Sequence, residues 1–204
     1  MLLYTIPGTI KEATVLKRPS KTCKTPYVAD IIINSDETVH MAHTPSLGCC
    51  GLANKESVVL VNDIPNPKGV CTKSIQIAKI MNKNHSTYVG IHTKLAEIIT
   101  QNAINNNCIK KLQNVRQLER EKKFLNSRFD FTGIMENGKR FILEVKSVPL
   151  ADYEDITAKE RKKKDYSNRD YNSKVAYFPD GYRKKKGAVV SPRALKHINE
   201  LKQI

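Results

Sequence analysis

The sequence predicts an α+β protein: a small β-barrel over residues 1–85, followed by a mixed α/β domain over residues 86–204. Two observations carry this. Up to about residue 88, short β-branched runs alternate with polar turns, the pattern of a small barrel. From Lys94 onward, a helical period, three extended segments and a capped final helix follow one another.

The barrel strands are read at Thr14-Val15-Leu16, Val28 to Ile33, Val39 to His43 and Val58 to Val61, with Ser74 to Lys79 closing the set. Turns fall at Pro19-Ser20, Asn34-Ser35-Asp36 and Asn54-Lys55. Asn82 to Ser86 is the expected junction. Lys94 to Ile104 reads as a helix, because Leu95, Ile98, Ile99 and Ala103 recur at helical spacing. Arg116 to Phe124 is a strand with polar edges, and Arg128–Ile134 and Arg140–Val148 form a hairpin. Ser191 as N-cap and Pro192 at the first turn start the last helix, with Ala194, Leu195, Ile198 and Leu201 as its buried stripe.

The hairpin carries the chemistry. Side chains alternate along a strand, so Glu144 and Lys146 share one face. A two-residue Asn-Gly loop would set Asp130 opposite Val145, on the other face. A three-residue loop, Glu136-Asn137-Gly138 with Gly138 left-handed, sets Asp130 opposite Glu144. Two carboxylates and a lysine on one face can hold Mg²⁺ or Mn²⁺ through oxygen ligands, with the Val145 carbonyl helping, and position a water for phosphodiester cleavage. An edge hairpin with solvated charges is the plainer reading. The apolar flank of Phe141, Ile142, Leu143, Val145 and Val148 argues instead for a covered central strand, where charges are costly without a task.

Composition narrows the partners. The formal net charge is +15, which favours a polyanion. Residues 1–90 carry 10 Lys/Arg against 6 acids, and residues 91–204 carry 25 against 14, so the surplus lies with the candidate site. A lysine- and asparagine-rich proteome would also give such a surface. The five cysteines form no C-x-x-C pair and suggest neither a zinc site nor a disulfide framework. With no leader and no apolar run near 20 residues, a cytoplasmic or other reducing compartment and no membrane contact are expected. The segment from Lys159 to Lys174, with Lys162, Lys163 and Lys164, and the run containing Lys184 and Lys185, read either as solvated loops or as polybasic arms against phosphates.

Several short motifs in order also resemble the sugar fermentation stimulation protein (SfsA) family. They are Ala42-His43-Thr44-Pro45; Val89 to Thr93 with the helix ending Ala103-Ile104; Ser127 to Phe131; Leu143 to Val148; Phe178-Pro179-Asp180; and Lys196-His197-Ile198. The resemblance implies an OB-like N-terminal barrel and a restriction-endonuclease-like domain of the PD-(D/E)xK type, DNA binding, and a nuclease role. Asp130, Glu144 and Lys146 then fall at the motif's acid, acid and lysine.

The sequence departs from the family pattern in four places, the first being the turn after the histidine, which reads Ser46-Leu47-Gly48-Cys49-Cys50 in place of an Asn-rich turn. Asn102, preceded by Gln101, stands where the family carries a helix glutamate. A Lys-rich insertion occupies about 152–174, and the chain stops at Ile204 where relatives continue. The domain is therefore expected to be shortened, or completed by a second copy or another chain over an open sheet edge. Arg128, His43 and Lys196 are candidate nucleic-acid contacts; a cross-hairpin salt bridge, a structural hydrogen bond and a solvated helix charge are their respective alternatives. The functional alternatives are a non-catalytic DNA-binding or regulatory protein with a degenerate site, and a packaging protein acting through charge alone.

Overall fold

The computed structural model describes all residues except 47–48, 82–84, 149, 153, 155, 167 and 177–191. By contacts the chain divides into two units, residues 1–147 with Ile204, and residues 148–203.

The first unit begins with β1 (Lys11–Lys17), β2 (Val28–Ile33), β3 (Val39–His43), β4 (Val58–Asp63), β5 (Lys73–Met81) and β6 (Ser86–Gly90). The sheet order is β3-β2-β1-β4-β5-β6, and a parallel β3–β5 pairing closes the first five into a barrel. Alternation sends Ala13, Val15, Ile31, Ile33, Val59, Val61 and Ile75 into the barrel core. One buried polar link lies among these strands: Gln76 donates to Asn62 Oδ1 at 2.7 Å and to Ser74 Oγ at 3.1 Å. Ser86–Gly90, unmarked in the sequence pattern, pairs with β5 as an added edge strand.

The unit continues with α1 (Thr93–Asn105), β7 (Val115–Phe124), β8 (Ser127–Met135) and β9 (Arg140–Leu143). These strands form a separate antiparallel sheet in the order β7-β8-β9. β8 is its centre, and Phe129 and Phe131 are fully buried on one face. Two expectations are corrected. The second hairpin strand ends at Leu143 rather than Val148, and β9 is an edge of this sheet, only half-buried. On α1, Ile99 is exposed at 40% while Ile104 is buried.

The second unit holds β10 (Leu150–Ala151), α2 (Ala158–Arg161), β11 (Val175–Ala176) and α3 (Pro192–Leu201). β10 and β11 pair antiparallel, so the Lys-rich insertion is an excursion closed by a two-residue ladder. The α3 stripe is corrected too. Leu195 and Ile198 are 47% and 46% exposed, while Ala194, His197 and Glu200 turn inward. These three recur at i, i+3 and i+6, so the helix is rotated about its axis from the face its apolar residues predict.

Candidate functional site

The turn decides the register. Gly138 has φ +80°, a conformation that suits glycine, and donates its N–H to the Met135 carbonyl at 2.9 Å. The hairpin then pairs Ile134 with Arg140, Gly133 with Phe141, Thr132 with Ile142 and Phe131 with Leu143. Glu136-Asn137-Gly138 is thus the three-residue loop, and the next position in register sets Glu144 level with Asp130. The ladder stops there because the Asp130 side chain takes over its next donor: the Val145 N–H donates to Asp130 Oδ2 at 2.6 Å.

Glu144 is nearly buried, with 7% of its side chain exposed, and pairs with the Lys146 ammonium. The same ammonium reaches the Val145 carbonyl at 3.4 Å. Burial raises the Asp130 pKa above its ordinary value. The Val145 N–H and Lys146 oppose that shift, and the Glu144 and Glu121 carboxylates add to it. The three residues predicted from the hairpin are therefore brought together.

Two further acids join them. One oxygen each from Glu97, Glu121 and Asp130 lie within 4.8 Å of one another. Glu121 sits level with Asp130 across the sheet, between the pairs Arg120–Phe131 and Lys122–Phe129. Its φ of +54° is a left-handed conformation that costs a non-glycine residue energy. Glu97, the only acid of α1, comes from its second turn. Arg120 holds it: Nη2 donates to Glu97 Oε2 at 2.9 Å and Nη1 to Gln101 Oε1 at 3.2 Å, with the guanidinium over the Phe131 ring.

Carboxylate oxygens crowded this closely repel one another, and an all-oxygen donor set is the kind that takes a hard divalent cation. Asn102 stands where the family carries a helix glutamate, and the helix carboxylate that reaches Asp130 and Glu121 is that of Glu97. Asn102 spends its amide on the Leu3 carbonyl at 2.7 Å. Glu97 precedes Gln101 by four residues and so shares its helix face. Position 102, where the family carries its glutamate, lies about 140° around the helix from Glu97, so the family pattern does not point to it.

The remaining predicted contacts are dispersed. Arg128 is exposed and meets Glu121 at 4.0 Å on β7, a salt bridge on the other side of β8 from the predicted hairpin. His43 ends β3. Burial and the nearby Lys94 lower its pKa, and His92, which His43 influences in turn, is lowered mainly by burial. In the second unit Lys164 is spent on Glu154, which Arg169 also binds at 3.1 Å, and Lys174 meets Asp152 at 2.6 Å. Lys162 and Lys163 remain exposed. Lys196 lies 3.6 Å from Glu200 one turn along α3. Lys184 and Lys185, and Phe178-Pro179-Asp180, lie outside the described residues.

Residues 94–159 match the family model described as the sugar fermentation stimulation protein RE domain. That stretch contains all five site residues. The chain belongs to the sugar fermentation stimulation protein family. A Clostridium tetani homolog is 28% identical over 148 residues, covering 72% of this chain and 60% of the relative. A Clostridium perfringens homolog is 30% identical over 144 residues, covering 69% and 57% respectively. The chain thus spans about 60% of the length of these curated SfsA relatives. Its structure is similar to that of Pyrococcus furiosus SfsA in complex with Ca²⁺, with a TM-score of 0.60 and 17% identity over 78% of this chain and 64% of that one. At that identity the likeness shows the shared fold. Among the described residues, no helix is long and apolar enough to cross a membrane.

Proposed function

We propose that this SfsA chain is a divalent-metal-dependent nuclease acting on DNA, with Glu97, Glu121, Asp130 and Glu144 as metal-site acids and Lys146 as its catalytic lysine. In this reading residues 1–85 are an OB-like nucleic-acid-binding barrel and residues 86–204 a PD-(D/E)xK domain. The single observation that carries it is the convergence of carboxylates from a helix and two strands, level with the Glu144–Lys146 pair. The donors are all oxygen, which fits Mg²⁺ or Mn²⁺ and excludes a thiolate-type zinc site. The Ca²⁺ bound by the Pyrococcus furiosus relative supports the same class of ion here.

A cation held there would lower the pKa of a water and neutralise charge on the scissile phosphate. The chain's own residues do the rest. Asp130 is fixed by the Val145 N–H, so its second oxygen points to a defined place. Glu144 is held by Lys146, whose ammonium has donors to spare for a water or a non-bridging phosphate oxygen. Arg120 keeps Glu97 extended toward Asp130 rather than into solvent. The basic surplus of residues 91–204 draws a polyanion toward this half of the chain.

One observation favours the second reading, a DNA-binding protein with a degenerate site. The Arg120 guanidinium already neutralises Glu97 and must yield before that carboxylate binds a cation. Plasmid and single-stranded DNA incubated with Mg²⁺, Mn²⁺ or EDTA decide between the two. The nuclease reading expects metal-dependent cleavage that falls about 10²–10³-fold in Glu144→Ala and Lys146→Ala. Salt-sensitive binding with no cleavage in any metal would leave only the second reading.

A further inference from the structure

We propose that the β7–β8–β9 sheet carries a pocket for an unpaired base of single-stranded nucleic acid. The proposal rests on the nucleic-acid reading above and names the form of nucleic acid that the chain prefers.

A cavity of about 510 Å³ opens on this sheet, within the size range of small-ligand sites. Phe124, Phe141 and Ile142 supply its apolar surface, and Lys122, Lys123 and Arg140 its cations. Its one acid, Glu119, is already bound to Lys122. Among the described residues neither Lys123 nor Arg140 enters an ion pair, and both are exposed. Aromatic rings beside uncommitted cations match the flat face and the phosphate of one nucleotide. An apolar peptide would leave those cations unanswered, and a duplex keeps its base faces stacked away from the rings.

The aromatic surface is built into the fold. Phe141 pairs with Gly133 across the hairpin. A Cβ at Gly133 would stand 2.5 Å from the Phe141 ring and 2.5 Å from the Gln117 carbonyl. Only glycine lets the ring lie across β8 while β7 approaches this closely.

The sequence contains no tryptophan, so Phe141→Trp creates a single emitter in the pocket. The 204-residue chain in EDTA is titrated with the dodecamer dT12, a 12-base-pair duplex, and inorganic polyphosphate, while anisotropy of labelled strands reports binding. The expected result is saturable quenching by dT12 and none by the duplex or polyphosphate. Emission unchanged while dT12 is bound, or equal quenching by all three, overturns the proposal. The Lys123→Ala/Arg140→Ala double variant alters only exposed cations and keeps the test open if the tryptophan variant misfolds. Its log–log salt slope for dT12 should be shallower by about 1.4, two phosphate contacts on a single strand. An unchanged slope counts against the pocket. Both readouts need no metal. Quenching without cleavage would sink the nuclease reading alone, and cleavage without quenching would sink the pocket alone.

Discussion

Replacing Asp130 with asparagine should stabilise the metal-free protein and remove most of its response to a divalent cation. The introduced amide can still accept the Val145 N–H through its oxygen, so the geometry survives. What disappears is a charge level with Glu121 on one neighbouring strand and Glu144 on the other. Like charges directly opposite on adjacent strands cost roughly 0.2–1 kcal/mol each. Exposure of Glu121 and the nearby Lys146 ammonium discount that cost, leaving about 1 kcal/mol in favour of Asp130→Asn. The Tm in EDTA should rise by about 2–4 °C.

Calcium should act in the opposite direction. At 100 times its Kd it stabilises the parent by about 2.7 kcal/mol, and a hundredfold loss of affinity leaves about 0.4 kcal/mol in the variant. The pH dependence follows from the raised pKa of Asp130. The folded state gives up that proton reluctantly, so the penalty is absent below the ordinary value of 3.8 and develops as pH rises through the folded pKa. The advantage of Asp130→Asn should therefore fade in acid. Thermal melts monitored by circular dichroism, with and without Ca²⁺, check both signs. A variant less stable in EDTA at neutral pH, or one that responds to Ca²⁺ as the parent does, would refute the reasoning.

Other substitutions probe the neighbouring elements. Glu97→Gln loses an exposed ion pair with Arg120, so urea melts should show a change within about 1 kcal/mol, while Ca²⁺ affinity by calorimetry falls at least about tenfold. Gly133→Ala forces a methyl against the Gln117 carbonyl and the Phe141 ring, and should lower stability by about 1–3 kcal/mol in urea melts. Lys162→Ala/Lys163→Ala removes two exposed cations of the insertion. If they contact duplex phosphates, the salt slope for duplex binding becomes shallower by about 1.8, and an unchanged slope removes them from the interface.

The legible parts of the fold are those set by local pattern. The β2 and β3 runs are bounded by turns, so their spans follow from the residues. The hairpin register is legible because Gly138 can take a positive φ and the three-residue loop brings Asp130 level with Glu144. What escapes depends on tertiary contacts. Leu143 ends β9 because the Asp130 carboxylate captures the Val145 N–H, a competition that no propensity of Val145 or Val148 reveals. The rotation of α3 hides His197 and Glu200 and exposes Leu195 and Ile198, contrary to its amphipathic pattern. Glu97 is hidden because the family pattern points to position 102, and only the packing of α1 brings a carboxylate from another side of the helix to Asp130 and Glu121. Glu121 looks like one charge among many on a polar strand, and only the β7–β8 register sets it level with Asp130.

The most direct test is the anomalous density of a crystal soaked in Ca²⁺. The account predicts a peak about 2.3–2.6 Å from carboxylate oxygens of Asp130 and at least one of Glu97, Glu121 and Glu144. No peak at these acids, with Arg120 still on Glu97 and Lys146 still on Glu144, would contradict it.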